Sequence, residues 1–405
     1  MSPRRRLALR ALLAGGPAFT IASRAASSNT AADTSLGTFV GTSADATAPS
    51  ATARSATTDE DDPVRRGRAL VFPRDHGAHL GASIEWWYAT GWLGTPEAPT
   101  HGVQLTFFRS ATGLAAGSKS RFAARQLLFA HAALTDLQQR RHLHDQRIAR
   151  WSGLAGAASG HASVNDGHVA LGNWWLKREG SAWRANIDAA DFRLVLALQR
   201  TQAVLLQGDN GFSRKGPGEQ QASHYYSEPQ LAMRCELSLS PASGPARSQG
   251  TLQGRAWLDH EWSEQLLHPQ AVGWDWIGIN LSDGAALTVF VLRRADGSAL
   301  WAGGSYRAVG VTEATSFAAT QVQMQPQRRW RSPASGASYP VQWRVQCPAG
   351  EFTVHALMDE QELDSRQSTG TIYWEGLSEL LNRNGLRVGL GYLEMTGYSG
   401  PLRLG

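Results

Sequence analysis

The chain has 405 residues, 42% of them apolar and 18% charged, which suits two packed domains and excludes a disordered protein. Its net charge of +5 does not describe a nucleic-acid binder, because Arg4, Arg5, Arg6, Arg10 and Arg24 carry all of it within residues 1–28, which hold no acid. The remainder is neutral overall and offers no basic surface for a phosphate backbone.

Residues 1–28 have the layout of an export signal: an arginine-rich start, a modest apolar run and small residues near Ala25-Ala26. Arg5-Arg6-Leu7-Ala8-Leu9-Arg10 resembles a twin-arginine signal, with Ala8 where a bulky residue is usual. A periplasmic or secreted location is therefore expected. No stretch approaches the roughly 18–20 apolar residues that span a bilayer, so no transmembrane segment is expected in the mature chain. Residues 29–66, rich in Ala, Thr, Ser and Asp, read as a disordered linker, with folded sequence beginning near Leu70.

Beyond the linker the patterns are those of strands. Ile84–Leu93 alternates, with Ile84, Trp86, Tyr88 and Trp92 on one face and Glu85 and Trp87 on the other. Val103–Phe108, Leu127–Leu134, Val169–Leu176 and Phe192–Leu198 predict further strands. A Pro/Gly/Ser-rich break lies near residues 240–250. After it, Trp274–Leu281, Leu287–Arg293 and Ala299–Tyr306 are joined by Asp283-Gly284 and Asp296-Gly297, the pattern of a β-meander. Trp343–Val345, Phe352–Leu357, Thr371–Glu375 and Gly389–Thr396 continue the series. Helical periodicity is scarce: Leu377–Leu381 predicts a short turn, and Glu261–Leu267 is ambiguous. The expected fold class is all-β, with two consecutive lipocalin-like antiparallel barrels over 67–245 and 246–405. Cys235 and Cys347 fall in different units and predict two separate buried thiols.

Chemistry concentrates in Arg255–Leu281, which carries Trp257, Trp262, Trp274 and Trp276 around Asp259-His260-Glu261 and Asp275. On a strand, Trp257, Asp259 and Glu261 share one face, and Leu258, His260 and Trp262 share the other. Asp275 points away from Trp274 and Trp276. A carboxylic acid held among aromatics stays protonated near neutral pH. The π-faces favour a cation, and a histidine can steer water as a base. Asp275, His260, Asp259 and Glu261 are thus the candidate catalytic residues. Trp86, Trp87, Tyr88, Trp257, Trp262, Trp274, Trp276 and Trp374 are candidate ligand contacts, and Glu85 and Glu375 are further candidate acids. Each also has a structural reading, as a core aromatic or an acid paired with an arginine. His76-Gly77-Ala78-His79 and His142-Leu143-His144 match metal spacing only superficially, since no set of four ligands completes them. No metal or cofactor is expected. Serine-hydrolase elbows, phosphate loops and dinucleotide fingerprints are not present in the sequence.

Five motifs occur in order: Glu85-Trp86-Trp87-Tyr88-Ala89-Thr90-Gly91, Trp257-Leu258-Asp259-His260-Glu261-Trp262-Ser263, Gly273-Trp274-Asp275-Trp276, Tyr373-Trp374-Glu375-Gly376 and Gly391-Tyr392-Leu393-Glu394-Met395-Thr396-Gly397-Tyr398. Together they resemble the AttH-like secreted family that includes carotenoid 1,2-hydratases. The resemblance covers about Leu70 to the C-terminus and implies tandem lipocalin-like domains. It implies a cofactor-free hydratase or isomerase acting on an isoprenoid, polyene or other apolar small molecule. The alternatives it leaves open are a lipid carrier linked to a membrane exporter system and a lipid ester hydrolase.

Overall fold

The computed structural model describes residues 64–400, apart from 115–116, 119, 121, 154–158, 241–246 and 266. The expected export signal and residues 29–63 of the expected linker lie outside the described residues. From Val64 the chain is engaged with the folded body: the Arg66 guanidinium pairs with Glu219 at 2.7 Å and also meets Asp209. Residues 64–66 therefore belong with the fold rather than the linker.

The first sheet begins with four long antiparallel strands, β1 (Ile84–Gly94), β2 (Pro99–Ala111), β3 (Gln126–Asp136) and β4 (Arg141–Trp151). Shorter strands follow: β5 (His161–Ala162), β6 (His168–Leu171), β7 (Trp174–Glu179), β8 (Ala182–Asp188) and β9 (Phe192–Gln199). Next come β10 (Leu205–Leu206), β11 (Phe212–Arg214) and the long pair β12 (Ala222–Leu239) and β13 (Arg247–Ser263). Their order is β4-β3-β2-β1-β13-β12-β9-β8-β7-β6-β5, with β10 and β11 added against β12. The sheet curls until β3 and β4 approach β6, making a near-closed barrel. Alternation supplies the inner wall: Phe192, Leu194, Leu196 and Leu198 of β9 are all buried, while Arg193 and Gln199 face water.

The second sheet contains β14 (Gly273–Leu281), β15 (Ala286–Arg293), β16 (Ala299–Arg307), β17 (Thr315–Ser316) and β18 (Gln323–Arg331). It continues with β19 (Ser338–Cys347), β20 (Gly350–Ala356), β21 (Glu362–Asp364), β22 (Ile372–Leu381) and β23 (Arg387–Met395). The order β17-β16-β15-β14-β23-β22-β20-β19-β18, with β21 beside β22, forms a half-barrel. The expected meander is β14-β15-β16. Gly284 and Gly297 take φ of +97° and +84° at its turns, where a side chain would be strained.

Three readings change. Val169–Leu176 is not one strand, because Gly172 at φ +59° turns the chain between β6 and β7. Leu377–Leu381 is strand, not helix, because its backbone pairs with β23 and Leu377 and Leu380 are buried. The chain changes sheet after Ser263 rather than at 245/246. Arg247–Ser263 pairs with both β1 and β12, so its hydrogen bonds belong to the first sheet. Cys235 and Cys347 are free thiols on different sheets.

Each sheet has its own apolar core. A third cluster, including Tyr88, Trp92, Trp257, Trp276, Phe290 and Tyr392, takes residues from both sheets. There the sheets meet face to face, and the site lies between them.

Candidate active site

A cleft opens between the sheets, lined by side chains of both. The first sheet lines it with Trp86 and Tyr88 of β1, Phe108 of β2, Tyr225 of β12, and Asp259 and Glu261 of β13. The second presents Trp274 and Trp276 of β14, Phe290 of β15, Tyr373 and Glu375 of β22, and Glu394 of β23. Register places them together: Tyr88 stands opposite Asp259, Trp86 opposite Glu261, Trp276 opposite Glu394, and Glu375 opposite Glu394. Gly278 leaves room for the indoles, since a Cβ there would lie 2.3 Å from the Trp276 ring and 3.3 Å from Trp257.

Four carboxyl groups face this aromatic lining. Asp259 is 2% exposed and accepts bonds from Ser227 Oγ (2.5 Å), Trp257 Nε1 (2.7 Å) and the Tyr225 hydroxyl (2.9 Å). Burial still pushes it up to about 7, against those three donors. Glu394 is pushed up to about 8 by burial, with a Trp274 hydrogen bond opposing and Asp259, Glu261 and Asp275 adding to the rise. Glu375 is held well above the carboxylate range by burial and by Glu394 beside it. The Tyr88 hydroxyl turns toward Glu375, but neither it nor Glu375 Oε2 makes a well-formed hydrogen bond. Glu261 differs: Lys215 Nζ lies 2.8 Å away and Ser223 donates to it. His131 also lines the cleft, held by Tyr373 (2.7 Å) and Ser368 (2.8 Å), and burial lowers it to about 3, leaving a neutral ring. These residues form an aromatic pocket in which burial raises the proton affinity of Asp259, Glu375 and Glu394.

On the other face of β1 and β13 lies a separate charge network inside the first barrel. Glu85 Oε1 meets His79 Nδ1 at 2.7 Å and His260 Nε2 at 2.9 Å, and Arg109 Nε donates to Oε2 at 2.8 Å. His79 Nε2 lies 3.0 Å from Asp75. Burial alone would raise Glu85, but Arg109, His260 and His79 hold it well below its ordinary value. His260 is lowered by burial, with Glu85 opposing. Among the described residues, His79, Glu85 and His260 converge three metal-ligand atoms. Their polar atoms are already satisfied by one another and by Arg109, Asp75 and Tyr226, so a dication would have to break this set of bonds.

The candidates named from sequence therefore separate. The cleft receives Asp259, Glu261, Glu375, Trp86, Tyr88, Trp274 and Trp276. Trp257 sits behind its wall as a donor to Asp259. His260 and Glu85 are in the barrel network, where Trp87 stacks on His260 at 4.7 Å and Trp262 stacks on His79 at 3.6 Å. Trp374 packs in the second core, its Nε1 donating to the Asp359 carbonyl. Asp275 lies on the opposite face of β14 from the cleft, 2.7 Å from Arg293 Nε, with the Tyr398 hydroxyl donating at 3.0 Å. Burial raises it to about 6, with Arg293 opposing. The cleft also uses Glu394, Tyr225, Lys215 and His131, which the sequence reading did not select. Glu394 was legible, being an acid inside an aromatic motif, whereas Lys215, Tyr225 and His131 reach the cleft only through long-range pairing. His76 bonds to the Tyr226 hydroxyl at 2.6 Å, and His142 and His144 meet Thr135 and the Asp364 amide, so neither His-containing motif acts as a local pair.

The AttH-like family pattern matches residues 63–398. The crystal structure of an AttH-type protein from Nitrosomonas europaea is 44% identical, covers 84% of this chain and 100% of its own, and superposes with a TM-score of 0.75. Kievitone hydratase from Nectria haematococca shares the fold at 14% identity, with 84% and 97% coverage and a TM-score of 0.59. CghA does so at 13% identity, with 85% and 96% coverage and a TM-score of 0.51. No curated protein matches the sequence.

Proposed function

The chain belongs to the AttH-like family, and from that premise we propose that it is a cofactor-free hydratase or isomerase of an apolar alkene bound in the cleft between its sheets. The observation that carries this reading is the set Asp259, Glu375 and Glu394, three acids whose proton affinity burial raises beside Trp86, Tyr88, Trp274 and Trp276. Glu394 is the proton donor in this scheme. Its proton passes to one alkene carbon, the π-electrons form the new C–H bond, and the adjacent carbon becomes a cation facing the rings. Water held near Tyr88 and Glu375 attacks that carbon, and the proton it sheds returns to the carboxyl pair. Loss of a neighbouring proton instead of water attack gives the isomer. One relative in fold is itself named a hydratase, but at 14% identity that likeness concerns the backbone. The arginine-rich leader supports action after export.

The test is incubation of the mature protein with acyclic isoprenoids and polyenes in ¹⁸O-water, read by mass spectrometry. A product heavier by one labelled water, absent with Glu394→Gln, is expected. Ligand retained through gel filtration with neither labelled nor rearranged product would instead identify a carrier.

A further inference from the structure

Apart from Glu261, the acids of the cleft are paired with no cationic side chain among the described residues. Lys215, the one cationic side chain among its described lining residues, is already committed to Glu261 at 2.8 Å. Asp259 is met by three neutral donors. Glu375 and Glu394 stand opposite each other on β22 and β23, and the buried Glu375 Oε2, facing the cleft, makes no well-formed hydrogen bond. A buried carboxyl pair left this way is costly unless protonated or joined by a cation. The aromatic wall already shows that it accepts one: the Lys215 ammonium lies 4.3 Å from the Phe290 ring centre and 4.7 Å from that of Tyr225.

We propose that the cleft is a cation cage, binding an apolar ligand that carries one ammonium charge in preference to its uncharged isostere. The inference rests on the reading of this cleft as the ligand site and extends it to a ligand class. A permanent ammonium group draws on the same ring faces and carboxyl oxygens as a short-lived carbocation, and on binding it takes the place of a proton that the Glu375–Glu394 pair otherwise holds. Amine-bearing isoprenoids and aralkyl ammonium compounds are therefore its ligands or inhibitors.

The probe is a matched pair: benzyl(2-hydroxyethyl)dimethylammonium and its carbon isostere 3,3-dimethyl-4-phenylbutan-1-ol. Binding to the full-length protein is followed by tryptophan fluorescence. The ammonium compound is expected to bind at least about tenfold more tightly, with the preference reduced in both Glu375→Gln and Glu394→Gln. Equal affinities, tighter binding of the alcohol, or no binding of either overturns the cage, and the wild-type comparison decides even where a variant fails to fold. The two readings part in the ¹⁸O assay. Hydration that saturating ammonium compound leaves untouched sinks the cage and keeps the hydratase. Tight ammonium binding without any hydrated or isomerised product does the reverse.

Discussion

Glu394→Gln separates a residue kept for chemistry from one kept for stability. Folding moves the Glu394 carboxyl from water, where it titrates near 4.5, to a site where burial and neighbouring acids raise it to about 8. Between those values the unfolded chain is ionised while the folded chain still holds its proton. The group's contribution to stability therefore falls as pH rises through that window and levels off above about 8. At about 1.4 kcal/mol per pH unit, the penalty reaches about 3 kcal/mol at pH 7. Glutamine has nearly the same shape, never ionises, and keeps a carbonyl for the Trp274 hydrogen bond. The variant should match wild type near pH 5 and exceed it by an amount on the order of 3 kcal/mol at pH 7, while losing turnover. Urea unfolding followed by tryptophan fluorescence at several pH values measures this directly. A variant no more stable than wild type at pH 8, or a difference independent of pH, would refute the argument that the site holds a strained, protonated acid.

Three other outcomes follow from the same geometry. Arg109→Met removes the guanidinium that contacts Glu85, Gln126 and the carbonyls of His79 and Ala82, leaving a buried carboxylate uncompensated. It should cost about 3–5 kcal/mol in urea unfolding, and a loss below about 1 kcal/mol would mean that the network is not a structural staple. Asp275→Asn breaks the pair with Arg293 on the far face of β14. It should leave ligand affinity and turnover unchanged, because the carboxyl lies on the face of β14 away from the cleft, so selective loss of turnover in a folded variant would return Asp275 to the chemistry. Because the proton donor must be in its acid form, turnover should fall as pH rises through about 8. A rate that climbs steadily across that range in the ¹⁸O assay would point to a base in its place.

Local pattern determined much of this protein. Period-two alternation assigned most strands and correctly sorted Trp86 and Tyr88 from Glu85 and Trp87, and Asp259 and Glu261 from His260. It did so because side chains of a strand must alternate between two faces whatever the strand later packs against. The same rule placed Asp275 away from its flanking tryptophans. Sequence could not say what each face would meet. His260 and Glu85 become a network only when β13 lies beside β1 and the chain around Asp75 and His79 packs against them. Glu375 and Glu394 become a charge-poor pair only when β22 and β23 close across from Asp259. The pairing of strands distant in the chain decides which acids lose water and which acquire a countercharge. Desolvation and countercharge, neither encoded in any single motif, separate a protonated acid in a cleft from a salt bridge in a core.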